Sequence, residues 1–195
     1  MLIPPPLSLY VHVPWCVRKC PYCDFNSHSA RGEPPMERYV DALVADLDHD
    51  LPLVWGRTVH SVFFGGGTPS LMPAALIDRF LQQASARLRF APGCEITLET
   101  NPGTAEYGKL ADYRAAGVNR LSFGIQSFDD GCLHRLGRIH DSAQAVAAVQ
   151  QAHDAGFAEI NLDLMYALPG QDPDRKSGSA GMPRPNRQSR MPSSA

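Results

Sequence analysis

The stretch Tyr10-Val-His-Val-Pro-Trp-Cys16-Val-Arg-Lys-Cys20-Pro-Tyr-Cys23-Asp-Phe25 is the most informative part of this chain. Its cysteines follow the spacing C-x3-C-x2-C, so one short loop supplies three thiolates. A structural zinc site has four protein ligands, and an ordinary iron–sulfur cluster is held by four cysteines. A cubane held by only three cysteines leaves one iron open, where a small molecule can bind and receive an electron. The spacing therefore indicates an iron–sulfur cluster with one open iron.

Two alternatives to a cluster need to be weighed. A zinc ion would require a fourth ligand, and neither His12 nor His28 lies at a usual paired spacing from the cysteines. A disulfide framework is disfavoured because five cysteines is an odd number and the N-terminus lacks a basic region followed by a long apolar run. We expect Cys94 and Cys132, which are isolated in the sequence, to be inert thiols.

The composition is that of a globular protein with one substantial core. The chain has 195 residues, of which 44% are apolar, and its formal net charge is −2. This charge implies neither a general nucleic-acid partner nor a membrane surface. No apolar run approaches the ~18 residues of a membrane span. Reduced thiols that ligate a cluster fit a cytoplasmic location.

The sequence pattern changes near Gln171. Residues 172–195 contain no Leu, Ile, Val or aromatic residue, and they carry five Lys or Arg against two Asp. Such a polar segment buries too little apolar surface to offset its ordering entropy, so we expect a disordered tail after a core of residues 1–171. A basic nucleic-acid-binding tail is a less favoured alternative. The Arg, Pro, Ser and Gly mixture also suggests translation out of frame, a hypothesis that resequencing the gene would test.

Short apolar runs alternate with longer helical patterns along residues 1–171. The spacing predicts strands and helices that alternate in the order of βα units. The predicted strands are 7–13, 60–64, 95–99, 120–125 and 159–164, and the predicted helices are 36–50, 73–89, 105–116 and 142–155. Gly117 and Gly156 each follow a helix and are expected to stop it. About five βα units predict an α/β fold with a parallel sheet, closed or nearly closed into a barrel.

In such folds the chemistry gathers where the strands end, and polar or glycine-rich residues follow each predicted strand. The second strand leads into Gly65-Gly66-Gly67-Thr68, whose glycines allow a backbone to approach a ligand closely. Glu99 and Asp163 are carboxylates in otherwise apolar strands, so each needs a partner or a ligand. A salt bridge inside the barrel, with Arg138 or Arg120, is the purely structural alternative for these carboxylates.

The motifs together resemble the radical S-adenosylmethionine (SAM) superfamily, and within it the oxygen-independent coproporphyrinogen III oxidase family. The matching segments are the cysteine stretch, Phe-Phe-Gly-Gly-Gly-Thr-Pro-Ser, Glu-Thr-Asn-Pro, Gly-Ile-Gln-Ser-Phe and Asp-Leu-Met-Tyr-Ala-Leu-Pro-Gly. The resemblance implies a (β/α)6 partial barrel in which the open iron chelates SAM. It implies that a [4Fe–4S] cluster is held by Cys16, Cys20 and Cys23. It also implies SAM contacts by Tyr10, Gly66, Gly67, Thr68, Glu99, Gln126, Arg138 and Asp163.

The residue types among these expected SAM contacts suit the cofactor. A guanidinium at Arg138 matches the methionyl carboxylate of SAM. Carboxylates at Glu99 and Asp163 and the amide of Gln126 match its ammonium and ribose hydroxyls.

Two branches of the family differ in the residue two positions after the third cluster cysteine. The true oxidase, which converts propionates of a porphyrinogen to vinyl groups by oxidative decarboxylation, has another cysteine there, whereas this chain has Phe25. The missing thiol favours the branch of HemW-type heme chaperones. The resemblance then implies heme or a porphyrinogen as ligand, an electron donor, and heme-accepting proteins as partners.

Other expectations follow from where the resemblance stops. Family members continue into a sixth βα unit and a C-terminal domain with a heme motif, and residues 1–195 contain neither pattern. An inert truncated product is therefore a third hypothesis, beside a chaperone and an enzyme. The histidines considered as heme ligands are His12, His28 and His140, and none is assigned that role.

Overall fold

The structure is a computed structural model, and it describes residues 4–104 and 109–171. The predicted tail at 172–195 lies outside the described residues, as does part of the third predicted helix. The described strands, numbered in chain order, are β1 (Leu7–Val13), β2 (Trp15–Cys16), β3 (His28–Ser29), β4 (Thr58–Gly66), β5 (Arg89–Thr100), β6 (Arg120–Gln126) and β7 (Glu159–Leu164). The described helices are α1 (Met36–Val54), α2 (Ala74–Ser85), α3 (Lys109–Ala115), α4 (Asp130–Arg135) and α5 (Ser142–Asp154).

Five of the strands form one parallel sheet in the order β1-β4-β5-β6-β7. Sequential parallel neighbours require a crossover between each pair, and the helices supply these crossovers. The α/β fold with about five βα units is therefore confirmed. In the part of the chain that the structure describes, β1 and β7 are the two edges, so the sheet is an open segment of a barrel.

The helix ends confirm the role of glycine in the links between helices and strands. Gly117 follows α3 with φ of 103°, and Gly156 follows α5 with φ of 85°. These angles lie in the left-handed region, which favours glycine because it has no Cβ. The start of α5 has a capping box in which the Asp141 carboxylate accepts from the Gln144 backbone N–H at 2.7 Å.

Several boundaries differ from the predicted ones: α1 runs to Val54 rather than to residue 50, and β4 is longer at both ends than the predicted 60–64. The predicted helix 73–89 ends at Ser85, and β5 begins at Arg89 rather than at Glu95. Leu88 has helical spacing in the sequence, yet it lies in the link and is buried. The reason is tertiary: Arg89 and Phe90 pair with Thr58 and Val59 of β4, and these pairings extend the strand. Helix α4 was not predicted, because six residues show too little periodicity.

The core lies between the sheet and the helices. The largest side chains that are almost fully buried include Phe64, Met72, Ile77, Leu98, Leu121 and Phe123. Burial of this apolar surface is the dominant favourable term that holds helices on the sheet. Because the core covers the faces of the sheet, the strand ends are where polar side chains gather. None of the described helices is both long and apolar enough to cross a bilayer.

Candidate functional site

The carboxyl ends of the five parallel strands meet at one edge of the sheet. Strand pairing places Val13 beside Gly66, and it places Gly124 beside Asp163. The cysteine loop follows β1, and Glu99 lies at the end of β5. The topology therefore brings the predicted site residues of five separate strands to one place, as the parallel arrangement predicts.

Hydrogen bonds within the cysteine loop hold it in a defined shape. Strands β2 and β3 pair Cys16 with Ser29, and this small ladder closes the loop on itself. The Lys19 ammonium donates to the carbonyls of Phe25 and Ser27, each at 3.0 Å. All five cysteines are free thiols, with Cys16 buried and both Cys20 and Cys23 half-buried. Three thiols are thus presented by one preorganised loop.

The glycine motif packs directly against this loop. A Cβ on Gly67 would lie 2.6 Å from the Trp15 carbonyl oxygen and 3.0 Å from the Cys16 Sγ. Gly66 has φ of 118°, and a Cβ there would lie 2.7 Å from the His12 ring. The backbone amides of Gly67 and Thr68 donate to the carbonyls of Val13 and Trp15, at 2.7 and 2.8 Å. Glycine is therefore required at Gly67 by the close approach of the cysteine loop, and at Gly66 by its backbone angle and the close approach of β1.

Within residues 4–104 and 109–171, Glu99 has no arginine partner, and a backbone amide holds it. The Gly66 N–H donates to its Oε2 at 3.1 Å. Burial raises the pKa of Glu99, and the nearby charge of Asp163 adds to this rise. Burial also raises the pKa of Tyr10, helped by the charge of Glu99, although the Tyr10 side chain is 57% exposed. A half-buried carboxylate with one amide donor keeps acceptor capacity for a further donor such as an ammonium or a hydroxyl.

Arg138 joins the end of β6 to the cysteine loop. Its Nη2 donates to the Gly124 carbonyl, and its Nη1 lies 3.5 Å from both the Cys20 Sγ and the Tyr22 hydroxyl. Its Nε is buried and has no hydrogen-bond partner among the residues that the structure describes. Gln126 lies on the same side, because a Cβ on Gly124 would meet the Gln126 Nε2 at 3.0 Å and the Arg138 Nη2 at 3.5 Å. A buried unpaired donor here fits an incoming anionic group such as a carboxylate.

Asp163 is exposed, and two neighbours orient it. Ser122 donates to its Oδ2 at 3.1 Å, and Asn161 donates to its Oδ1 at 2.8 Å. Asn161 also donates to the Ser122 Oγ at 3.0 Å, which closes a small network. A carboxylate held in this way is preorganised to accept from a ligand hydroxyl.

The structural alternative of a salt bridge does not occur in the residues that the structure describes. Arg120 lies 3.8 Å from Glu95, in the middle of β5, and it donates to Thr97 at 3.3 Å. Arg138 makes its contacts with Gly124 and the cysteine loop rather than with Glu99 or Asp163. Neither strand carboxylate is neutralised by these arginines, so both keep acceptor capacity for a ligand beside the hydrogen bonds that they already accept.

Sequence reasoning missed several residues that shape the site. Tyr22, Ser122 and Asn161 were not singled out, although Asn161 shares a strand face with Asp163 through the two-residue period of a strand. His12 was considered only as a zinc or heme ligand, and His140 only as a heme ligand. In the structure the His12 ring contacts the Tyr10 hydroxyl at 3.0 Å and the Asn26 carbonyl at 2.8 Å. Both ring nitrogens of His12 are thus occupied by protein groups.

The described residues contain no group of three or more His, Cys, Asp or Glu side chains gathered around a single metal ion. A cubane does not require such a group, because each thiolate binds a different iron. The donor set fits the expected cofactors: three free thiols, a glycine cradle, a buried unpaired guanidinium nitrogen and two carboxylates with spare acceptors.

Comparison with protein families matches residues 10–176 to the radical SAM superfamily. The chain belongs to the radical SAM superfamily. Heme chaperone HemW of Escherichia coli is 51% identical over 174 residues, which are 89% of this chain and 46% of that protein. The oxygen-independent coproporphyrinogen III oxidase of the same organism is 37% identical over 169 residues, which are 87% of this chain and 37% of that protein.

A solved radical SAM structure agrees with the fold. Coproporphyrinogen III oxidase (HemN) from Escherichia coli matches with a TM-score of 0.77 and 37% identity, covering 87% of this chain and 39% of that one. The chain therefore spans less than half the length of the curated relatives it matches. Membership of the radical SAM superfamily implies a [4Fe–4S] cluster and SAM.

Proposed function

We propose that this chain is the radical SAM part of a HemW-type heme chaperone, which binds a [4Fe–4S] cluster and SAM and takes part in heme delivery. The observation that favours the chaperone over the oxidase is the identity of residue 25. Phe25 stands where the oxidase has a further cysteine. Its ring is 61% exposed, and its carbonyl accepts from Lys19. No thiol is therefore available at this position. The higher identity to HemW than to the oxidase supports the same choice.

In this proposal Cys16, Cys20 and Cys23 hold three irons of the cluster. Arg138 takes the methionyl carboxylate of SAM, because its buried Nε lacks a partner and its fork faces the cysteine loop. When bound, the cluster supplies an electron and an open iron for SAM. The protein excludes water by packing the glycine motif against the loop.

The remaining SAM contacts in the proposal come from the strand ends. Glu99 and Asp163 accept from the ammonium and the ribose hydroxyls, and the Gln126 amide supplies a donor and an acceptor. Tyr10 lines the site from β1, while the backbone groups of Gly66, Gly67 and Thr68 lie close enough to bind polar atoms. The proposal also includes two partners, an electron donor and a heme-accepting protein. It places the protein in the cytoplasm.

The cluster is tested on protein reconstituted anaerobically with iron and sulfide. We expect visible absorbance and a reduced-state EPR signal that disappear in each of the variants C16A, C20A and C23A. The matched control is C132A, which removes a buried thiol in α4 outside the loop. Retention of the full signal in the three loop variants would contradict the cluster assignment.

The choice between chaperone and oxidase needs a second experiment. The reconstituted chain is incubated anaerobically with SAM, a reductant and either heme or coproporphyrinogen III. The chaperone proposal expects a heme absorbance shift and no loss of carbon dioxide from the porphyrinogen. Conversion of propionates to vinyl groups would instead establish the oxidase, which the resemblance to HemN makes the second candidate.

A further inference from the structure

His140 is a buried histidine that contacts two strand ends of the site. It lies two residues after Arg138, and it is 4% exposed. Its Nε2 lies 3.1 Å from the carbonyl oxygen of Ile125, and its Nδ1 lies 3.2 Å from the Asn101 Oδ1. Ile125 directly precedes Gln126, and Asn101 follows Glu99 by two residues. One imidazole therefore touches the segments that carry two proposed SAM contacts, and it lies two residues from a third, Arg138.

The contacts assign the ring hydrogen. A carbonyl oxygen only accepts, and Ile125 already accepts from the Ser127 amide at 2.9 Å, so the His140 Nε2 carries the hydrogen. Burial, together with the Arg138 cation, lowers the pKa of His140 to about 4, so the ring is neutral at pH 7. The neutral ring has no hydrogen on Nδ1, so Nδ1 does not donate to the Asn101 Oδ1, which accepts from the Gly103 amide instead. Donation from Nε2 to Ile125 is therefore the directional bond that this ring makes.

The bond acts where the backbone is strained. Gln126 has φ of 70°, a conformation that residues other than glycine adopt at a cost. Such a conformation persists only where its surroundings hold it. The Met165 amide donates to the Gln126 carbonyl at 2.9 Å on one side of the residue, and His140 holds the preceding carbonyl on the other.

Packing by the segment 101–103 holds His140 in place. A Cβ on Gly103 would lie 3.1 Å from the Ile139 Cγ1 and 3.5 Å from the His140 Cβ, so the 101–103 segment packs tightly against the histidine. The Gly103 amide donates to the Asn101 Oδ1 at 3.2 Å, which keeps that segment in place. His140 therefore has little freedom to move away from Ile125.

We propose that His140 is a positioning residue of the SAM site, whose Nε2–H holds the Ile125 carbonyl and thereby fixes the direction of Gln126. The inference rests on the proposed function, because the direction of Gln126 matters only if this site takes SAM. His140 does not touch SAM in this proposal. It acts through the backbone that presents Gln126.

The test compares three substitutions in the reconstituted 195-residue chain, with the dissociation constant of SAM as the readout. In H140Q the side-chain amide nitrogen takes the position of Nε2. In H140N the amide nitrogen takes the position of Nδ1 only. The leucine of H140L has no donor. We expect H140N and H140L to weaken SAM binding by about tenfold, the size of one hydrogen bond, and H140Q to stay within about threefold of wild type. A merely structural role would not separate H140Q from H140N at equal Tm.

Two controls accompany the variants. F157L shortens a buried side chain before β7, at the end of the sheet opposite the site, and should lower Tm without changing SAM affinity. H153L makes the same replacement at an exposed histidine of α5 and should change neither. Equal SAM affinities in H140N, H140Q and wild type would overturn the positioning role alone. A wild-type chain that shows cluster absorbance but binds no SAM would overturn the proposed function as well.

Discussion

Acidification should destabilise the folded chain through His140. In the folded state its pKa is lowered from 6.5 to about 4, chiefly because the ring is buried and also because Arg138 is near, with Asp141 opposing. In the unfolded state the ring takes up a proton near pH 6.5. Between these pH values the unfolded state holds more protons, so the free energy of unfolding falls as the pH falls. The contribution is fully present above pH 6.5 and is progressively lost toward pH 4.

The magnitude follows from the difference between the two pKa values. Each tenfold difference in proton affinity is worth 1.36 kcal/mol, so the loss due to His140 is at most about 2 kcal/mol at pH 5 and about 3 kcal/mol at pH 4. Solvent screening reduces this little, because the side chain is 4% exposed. Such a loss is a large fraction of the stability of a typical domain.

The assay is urea unfolding of the wild-type chain and of H140Q at a series of pH values from 8 to 5. Glutamine does not titrate, so the difference between the two proteins isolates the histidine from every other group. We expect the free energy of unfolding of wild type to fall by about 2 kcal/mol more than that of H140Q over this range. The exposed control H153Q should follow wild type.

Two results would refute the reasoning. Parallel curves for wild type and H140Q would show that the folded-state pKa of His140 is not lowered. A wild type that gains stability relative to H140Q below pH 6.5 would indicate a cationic ring that donates to both Ile125 and Asn101.

Three further predictions concern the site and its support. N161L removes the donor to Asp163 and should weaken SAM binding by about three- to tenfold, measured by calorimetry on reconstituted protein. G67A places a Cβ 2.6 Å from the Trp15 carbonyl oxygen and should reduce cluster content, measured as iron per chain, and stability by about 1–3 kcal/mol. Y113F removes a buried hydroxyl that donates to the carbonyls of residues 70 and 72, and should cost about 1–3 kcal/mol in urea unfolding with SAM affinity unchanged.

The first two of these predictions each have a matched control. Gln150 donates to Asp154 at 3.0 Å on the surface of α5, so Q150L removes a similar amide–carboxylate bond far from the site and should leave SAM affinity unchanged. G131A adds a Cβ within α4, where the nearest atom is a side-chain oxygen at 3.1 Å, and should retain the cluster. Equal effects in N161L and Q150L, or in G67A and G131A, would contradict the assigned contacts. A change in SAM affinity in Y113F would contradict its purely structural role.

Much of the fold was predictable because its signals are local. Strand β1 has the bounds that the alternation of Leu7–Val13 predicts, and Gly117 and Gly156 end helices as expected. The boundaries that were wrong depend on partners distant in sequence. Arg89 and Phe90 belong to β5 because they pair with β4. The local sequence pattern carries no information about this pairing.

For the candidate site, the order of residues along the chain was enough to identify the type of chemistry. The sequence shows three closely spaced cysteines, glycines after a strand and carboxylates in apolar strands. Each of these signals involves residues that are only a few positions apart. The contacts between Arg138 and Cys20, between Gly66 and Glu99, and between His140 and Ile125 join residues that are 15 to 118 positions apart. Such contacts arise when parallel strands bring their ends to one edge, so they emerge only from the folded arrangement.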